Sequence, residues 1–132
     1  MTDTDTQAGT RITQVATLMV PVSDQDQAIS FFVEKLGFEK RADTPFGRGE
    51  RWVEVAPAGA DTTLALVLPR DGEAVGIETR ISFATEDIDA DHASLSAGGV
   101  DVDEVMRMGD PIPPMLFFRD PDGNRFMIVQ LG

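Results

Sequence analysis

The chain has 132 residues, 42% of them hydrophobic, enough for one compact domain that buries roughly two-thirds of the surface its unfolded form would expose. With no cysteine it has no thiol nucleophile, Cys-ligated metal or disulfide framework, and nothing points to an oxidising compartment. A formal charge of −12, with eleven basic residues scattered rather than striped, argues against nucleic acid, and no apolar run approaches the roughly 20 residues of a membrane span.

Residues 1–11 open on MTDTDTQAGT, polar and acidic without the cationic start and apolar core of a signal peptide, so they read as a frayed tail and the address as cytoplasmic. From there the order is regular. Ala16–Val22 has strand character, and Ser23-Asp24-Gln25-Asp26 offers capping oxygens to a helix with apolar Ile29, Phe32, Val33 and Leu36, closed by Gly37. Three strand candidates follow, 38–42, 51–56 and 62–68, broken at Pro45-Phe46-Gly47 and Pro57-Ala58-Gly59. After a linker at about 69–78 the plan repeats. A strand at 80–85 leads to a helix capped by Glu86-Asp87-Ile88-Asp89 and closed by Gly98-Gly99, then strands at 100–106, 115–119 and 124–131. Asp24 and Asp87 stand 63 residues apart, as do Asp26 and Asp89, while Gly37 and Gly99 are separated by 62.

The prediction is an α+β domain (12–132) of two tandem βαβββ modules, about 12–68 and 79–132, with curved mixed sheets enclosing a cavity and the helices on the outer face, away from that cavity. Period-two alternation assigns the cavity-facing side chains. If Leu18, Val20 and Val22 face the helix, Thr17 and Met19 face the cavity; if Ile81 and Phe83 pack, Arg80, Ser82 and Ala84 point inward. Trp52 and Glu54 share one face of their strand. Met19, Trp52, Met115, Phe117 and Met127 would make an adaptable apolar lining, to which Leu66 is added from the fourth strand. The competing reading is a filled core without a cavity.

Glu54 is the best candidate for acid or base work, since desolvation raises a carboxylate's pKa; alternatively it pairs with Arg80, whose planar fork could also orient a polar ligand. His92, the only histidine, lies beside the second helix's apolar stripe and reads as structural. Asp87-x-Asp89-x-Asp91 lacks the glycine and glutamate of a calcium loop, so capping explains it better. The stretch 107–114 reads as a stiff loop at a pocket rim or dimer contact.

Three segments carry a resemblance: VPVSDQDQAISFFVEKLGF (20–38), ISFATEDIDADHASLSAGGV (81–100) and LFFRDPDGNRFMIVQ (116–130). Together they resemble the vicinal oxygen chelate superfamily of glyoxalase I, extradiol dioxygenases, fosfomycin-modifying enzymes and bleomycin-resistance proteins. The resemblance implies that its enzymes' divalent metal would be held at Thr17, Arg80, Met127 and a fourth-strand position among Leu64, Ala65 and Leu66. None of these is a usual ligand, and Arg80 repels a cation. A fosfomycin-contacting tyrosine of that family corresponds to Phe117 here.

The expectation is a metal-free, cofactor-free homodimer that binds a small organic ligand, cationic or aromatic, by analogy with the bleomycin-resistance proteins. Two alternatives stand beside it: an enzyme working through Glu54 and Arg80 or through unrecognised metal ligands, and a protein-interaction module with a vestigial cavity.

Overall fold

The computed structural model describes residues 9–47 and 49–132; residues 1–8, within the expected tail, lie outside it. Module 1 comprises β1 (Thr17–Pro21), α1 (Gln25–Ser30) running into a π turn (Phe31–Lys35), β2 (Glu39–Phe46), β3 (Glu50–Ala56) and β4 (Thr63–Val67). Module 2 comprises β5 (Glu78–Thr85), α2 (Ile88–Ala97), β6 (Asp101–Val102), β7 (Met115–Arg119) and β8 (Arg125–Gln130). The two four-stranded sheets have equivalent orders, β1-β4-β3-β2 and β5-β8-β7-β6. In each, the first strand runs parallel to the last and the other neighbours are antiparallel.

Both helices start as their sequences dictate. Asp24 accepts a hydrogen bond from Gln27 N and Asp87 one from Ala90 N, satisfying otherwise orphaned donors. The first helix departs from the expected stripe. Its buried residues are Gln25, Ala28, Phe31 and Phe32, while Val33 is only half-buried. Consecutive phenylalanines share the core because the helix widens into a π turn there: Phe31 stacks on Phe118, and Phe32 meets Phe126 edge-on. Buried Gln25 gives its amide to Arg51 O (2.8 Å) and Leu66 O (2.9 Å), pinning the helix to two strands of its own sheet.

One core joins the modules. Val20, Val22, Val53, Val55, Leu64 and Leu66 from the first sheet, the helix phenylalanines, and Leu116, Phe118, Phe126 and Ile128 from the second all belong to it. The helix-facing sides of both sheets are therefore largely filled, and the opposite, outer faces remain accessible.

Two sequence expectations are corrected. Pro45 and Phe46 do not end β2, which continues to Phe46 before turning at Gly47; the strand is at the sheet edge, where a missing N–H costs no ladder bond. The strand expected over 100–106 shrinks to Asp101–Val102 plus an isolated bridge between Met106 and Met115.

The junction between modules is polar. Asn124, fully buried, accepts from Gly76 N and Ile77 N (2.9 Å each) and donates to Pro21 O (2.9 Å) and Asp120 Oδ2 (2.8 Å). All four of its side-chain bonding sites are used. Asp120 Oδ1 accepts from Asp122 N and Asn124 N, and the Asp122 carboxylate takes both the N–H and the hydroxyl of Ser23. The β7–β8 turn thus grips the end of β1 and the last residues of the linker together.

Candidate functional site

The outer face of the first sheet is built around Glu54. Its neighbours in β3, Val53 and Val55, are fully buried on the helix side, so alternation turns Trp52 and Glu54 outward. The parallel pairing of Thr17 with Thr63 and the antiparallel pairing of Glu54 with Ala65 put Thr17, Thr63 and Glu54 on the same face. A chain of hydrogen bonds results: Thr17 Oγ1 lies 3.3 Å from Thr63 Oγ1, which donates to Glu54 Oε1 at 2.8 Å, while Trp52 Nε1 donates to Glu54 Oε2 at 2.5 Å. Each carboxylate oxygen is occupied by a neighbour on its own sheet. Glu54 is therefore a fixed acceptor with the indole locked beside it, and Met19 stands next to this group, 59% exposed. Thr63 was missed from the sequence because only the strand register reveals it.

The second sheet's outer face is richer in arginine and sulfur. Phe117 pairs with Met127 and Met127 with Ser82, so these three cross β7, β8 and β5 in a row, with Met115 further along β7. The Arg125 guanidinium lies 3.9 Å above the Phe117 ring and also pairs with Glu78. That contact holds the Glu78 carboxyl below its ordinary range. At the rim Arg119 bonds Asp103 at 2.9 Å, lowering that carboxyl as well. Arg80 sits within a bulge of β5, between Glu78 and Ser82, at φ 59°.

Trp52, Glu54, Thr17 and Met19 thus gather on one sheet, and Arg80, Ser82, Met115, Phe117 and Met127 on the other. Glu54 and Arg80 make no pair within the chain: they belong to different sheets and the carboxylate has other partners. Leu66 does not join either group. It is fully buried on the helix side, because Thr63 and Ala65 take the outward parity of β4. A cleft of ≈ 210 Å³ between the π turn, α2 and β5, lined by Leu36, Phe38, Phe83 and Leu95, contains only Ala84 of the side chains assigned to the cavity from the sequence. A second, of ≈ 180 Å³ beside Leu18, Val55 and Ile81, includes Ser82 and Ala84. His92 lies 3.9 Å from Glu104, and Asp89 pairs with Arg107.

The positions corresponding to a divalent metal site carry Thr17, Arg80, Met127 and, on β4 beside Met19, Ala65. A hydroxyl, a guanidinium, a thioether and a methyl group do not fit a hard divalent ion, which takes carboxylate or imidazole donors. Among the described residues no three His, Cys, Asp or Glu side chains cluster to hold one elsewhere.

Comparison with known proteins agrees with this architecture. The uncharacterised protein YetH of Bacillus subtilis is 34% identical over 126 residues, covering 90% of this chain and 99% of its own. The crystal structure of TnmS3, an antibiotic-binding protein from Streptomyces sp. CB03234, superposes with a TM-score of 0.85 at 40% identity, covering 94% of this chain and 100% of TnmS3. A superfamily member from Sphaerobacter thermophilus also gives a TM-score of 0.85, at 39% identity over 91% of this chain and 98% of its own. Residues 12–128 match the family model across both modules, and the chain belongs to the Glyoxalase/Bleomycin resistance protein/Dioxygenase superfamily.

Proposed function

We propose that this protein binds a small organic ligand without a metal ion, holding it against the outer sheet faces, with a second copy of the chain closing each face. The observation that carries the reading is the placement of the large, soft side chains. Met19, Trp52, Met115, Phe117 and Met127 all stand on outer faces and keep solvent exposure instead of sinking into the core. Such side chains adapt to flat or irregular apolar surfaces. The likeness to TnmS3 supports the same class of function. The donor set at the family's metal positions supports metal independence.

A single chain leaves each outer face open on one side. An isologous pair, with the first sheet of one copy over the second sheet of the other, would close two equivalent cavities by one two-fold operation. This also accounts for Met19, Met108 and Ile112 being exposed in one chain.

The test is ligand screening by thermal shift on tag-free, chelator-treated protein, followed by native mass spectrometry and sedimentation equilibrium. Metal-free protein should be dimeric and bind one ligand per closed face. Binding that requires added Mg, Mn, Fe, Ni or Zn would reject metal independence, and a ligand-competent monomer would reject closure by a second copy.

A further inference from the structure

The arginines of the two sheets are accounted for in all cases but one. Arg41 pairs with Glu39, Arg51 with Asp43 and Asp26, Arg119 with Asp103 and Asp101, and Arg125 with Glu78. Arg80 is exposed, and among the described residues no carboxylate forms an ion pair with it. In a chain with 23 acidic and 11 basic residues, an arginine whose side chain forms no ion pair is notable. The nearby Glu78 carboxylate feels the Arg80 charge, but its hydrogen bonds go to Arg125 and to the backbone N–H of Arg80, and the Arg80 side chain makes no ion pair with it.

The backbone makes the same point independently. Arg80 is the one non-glycine residue at positive φ among the described residues. Its segment forms a bulge: Glu78 pairs with Arg125 and Ser82 with Met127, so the β5 stretch is two residues longer than its partner. Glycine would make this bend without steric cost, whereas an L side chain in the left-handed region is strained. Strain of this kind persists where the surrounding structure enforces it, and it concentrates at ligand clamps.

What flanks the bulge defines what Arg80 can receive. The row Ser82–Met127–Phe117 crosses three strands next to the bulge, spanning about 10 Å at the usual strand spacing. It offers a hydroxyl, a thioether and an aromatic ring already backed by Arg125. The face is therefore an apolar strip, and Arg80, exposed with the same parity as Ser82, stands beside it on β5 without an ion pair among the described residues.

We propose that Arg80 is a specificity-determining residue that receives the oxyanion of an amphiphilic ligand, whose apolar body lies along Ser82, Met127 and Phe117. The inference rests on the reading that the outer faces take a small organic ligand, and it names the class: an organic anion such as a carboxylate, sulfonate or phenolate. The acidic bulk of the protein favours a cation at long range. The local fork on this face favours the opposite sign, because charge-assisted, bidentate contacts outweigh a screened distant field.

Two probes with one ring system test it: 8-anilinonaphthalene-1-sulfonate and its neutral counterpart N-phenyl-1-naphthylamine, titrated by fluorescence and checked by calorimetry for one site per chain. The wild type should prefer the sulfonate by about ten- to a hundredfold, less at high salt. Arg80→Gly suits the left-handed backbone and should fold; it should lose the preference while keeping its affinity for the neutral probe. Arg80→Lys should retain part of it. Equal binding of the two probes by the wild type would refute the role of Arg80 and leave the ligand-binding reading standing. Failure of both to bind would remove both. Arg80→Gly protein that keeps the preference but dissociates to monomers would assign the arginine to contact between copies and overturn the proposal.

Discussion

Replacing Asn124 by alanine removes four hydrogen bonds at one buried point and leaves their partners in place. Pro21 O and Asp120 Oδ2 lose a donor at buried contacts, and Gly76 N and Ile77 N lose an acceptor at part-buried ones. A buried polar group stranded without a partner costs about 1–3 kcal/mol, and one that water can partly reach costs less, so the total comes to about 3–4 kcal/mol. That is a large share of the 5–15 kcal/mol typical of a domain, and with a urea m-value of about 2 kcal/mol/M it lowers the midpoint by about 2 M. The assay is equilibrium urea unfolding followed by circular dichroism and tryptophan fluorescence, Trp52 being the single tryptophan. Asn124→Asp separates the two halves of the argument. It keeps the acceptor for Gly76 and Ile77 but loses the amide donors and brings a second carboxylate against Asp120, so at neutral pH it should be no milder than alanine. A midpoint shift below about 0.5 M for Asn124→Ala would refute the assignment of this residue as the polar tie between modules.

Gly76 sits at φ 77°, and an added Cβ would come within 2.9 Å of Asp122 O; Gly76→Ala should therefore destabilise by at least about 1 kcal/mol, read from the same urea curves. Arg80→Gly should do the reverse, raising stability by about 1 kcal/mol through relief of the left-handed strain, and an unchanged or lower melting temperature would contradict this. Asp43 is held at a pKa of about 2, first by its hydrogen bonds from Arg51, against an ordinary 3.8. Its lowered value means a contribution present above pH 3.8 and lost as pH falls toward 2, so Asp43→Asn should flatten that part of the stability–pH curve. Asp120 has the opposite sign: burial raises its pKa, so its contribution is present at low pH and fades as pH rises through the raised value.

Much of the fold was legible because local rules and the internal repeat agreed. Asp24 and Asp87 cap the helices where the spacing places them, and alternation separates Val53 and Val55 from Trp52 and Glu54. The misses share a cause: they depend on what lies across a strand or a sheet. Whether Leu66 faces inward or outward turns on a single-residue choice of register, and the hydrophobic run Thr63–Val67 of a central strand carries no alternation to decide it. The partners of Glu54 required the pairing of three strands. The π turn arises because two adjacent phenylalanines are drawn toward rings on the other module, a tertiary demand that helical periodicity cannot express. The left-handed bulge at Arg80 is likewise invisible in a sequence whose strand pattern reads as starting at residue 80, whereas β5 begins at Glu78.

The grip of the Asp120–Asn124 turn on Pro21 and Ser23 means that, beyond the shared core, the two repeats are fastened by the peptide chain and by polar side chains as well. Among the described residues the first repeat shows no counterpart, for its corresponding turn is closed by Arg41 bonding Pro57 O and Ala60 O within the same module. The covalent tie is consequently dispensable in principle: a chain opened between residues 70 and 74 keeps every member of the side-chain fastening. Two separately expressed halves, divided there, are expected to reassemble, because the shared core and the bonds of Asn124 and Asp122 to Pro21 and Ser23 all span the cut. The order in which the two repeats follow one another along the polypeptide then becomes a matter of genetic arrangement, with the architecture preserved by the fastening itself.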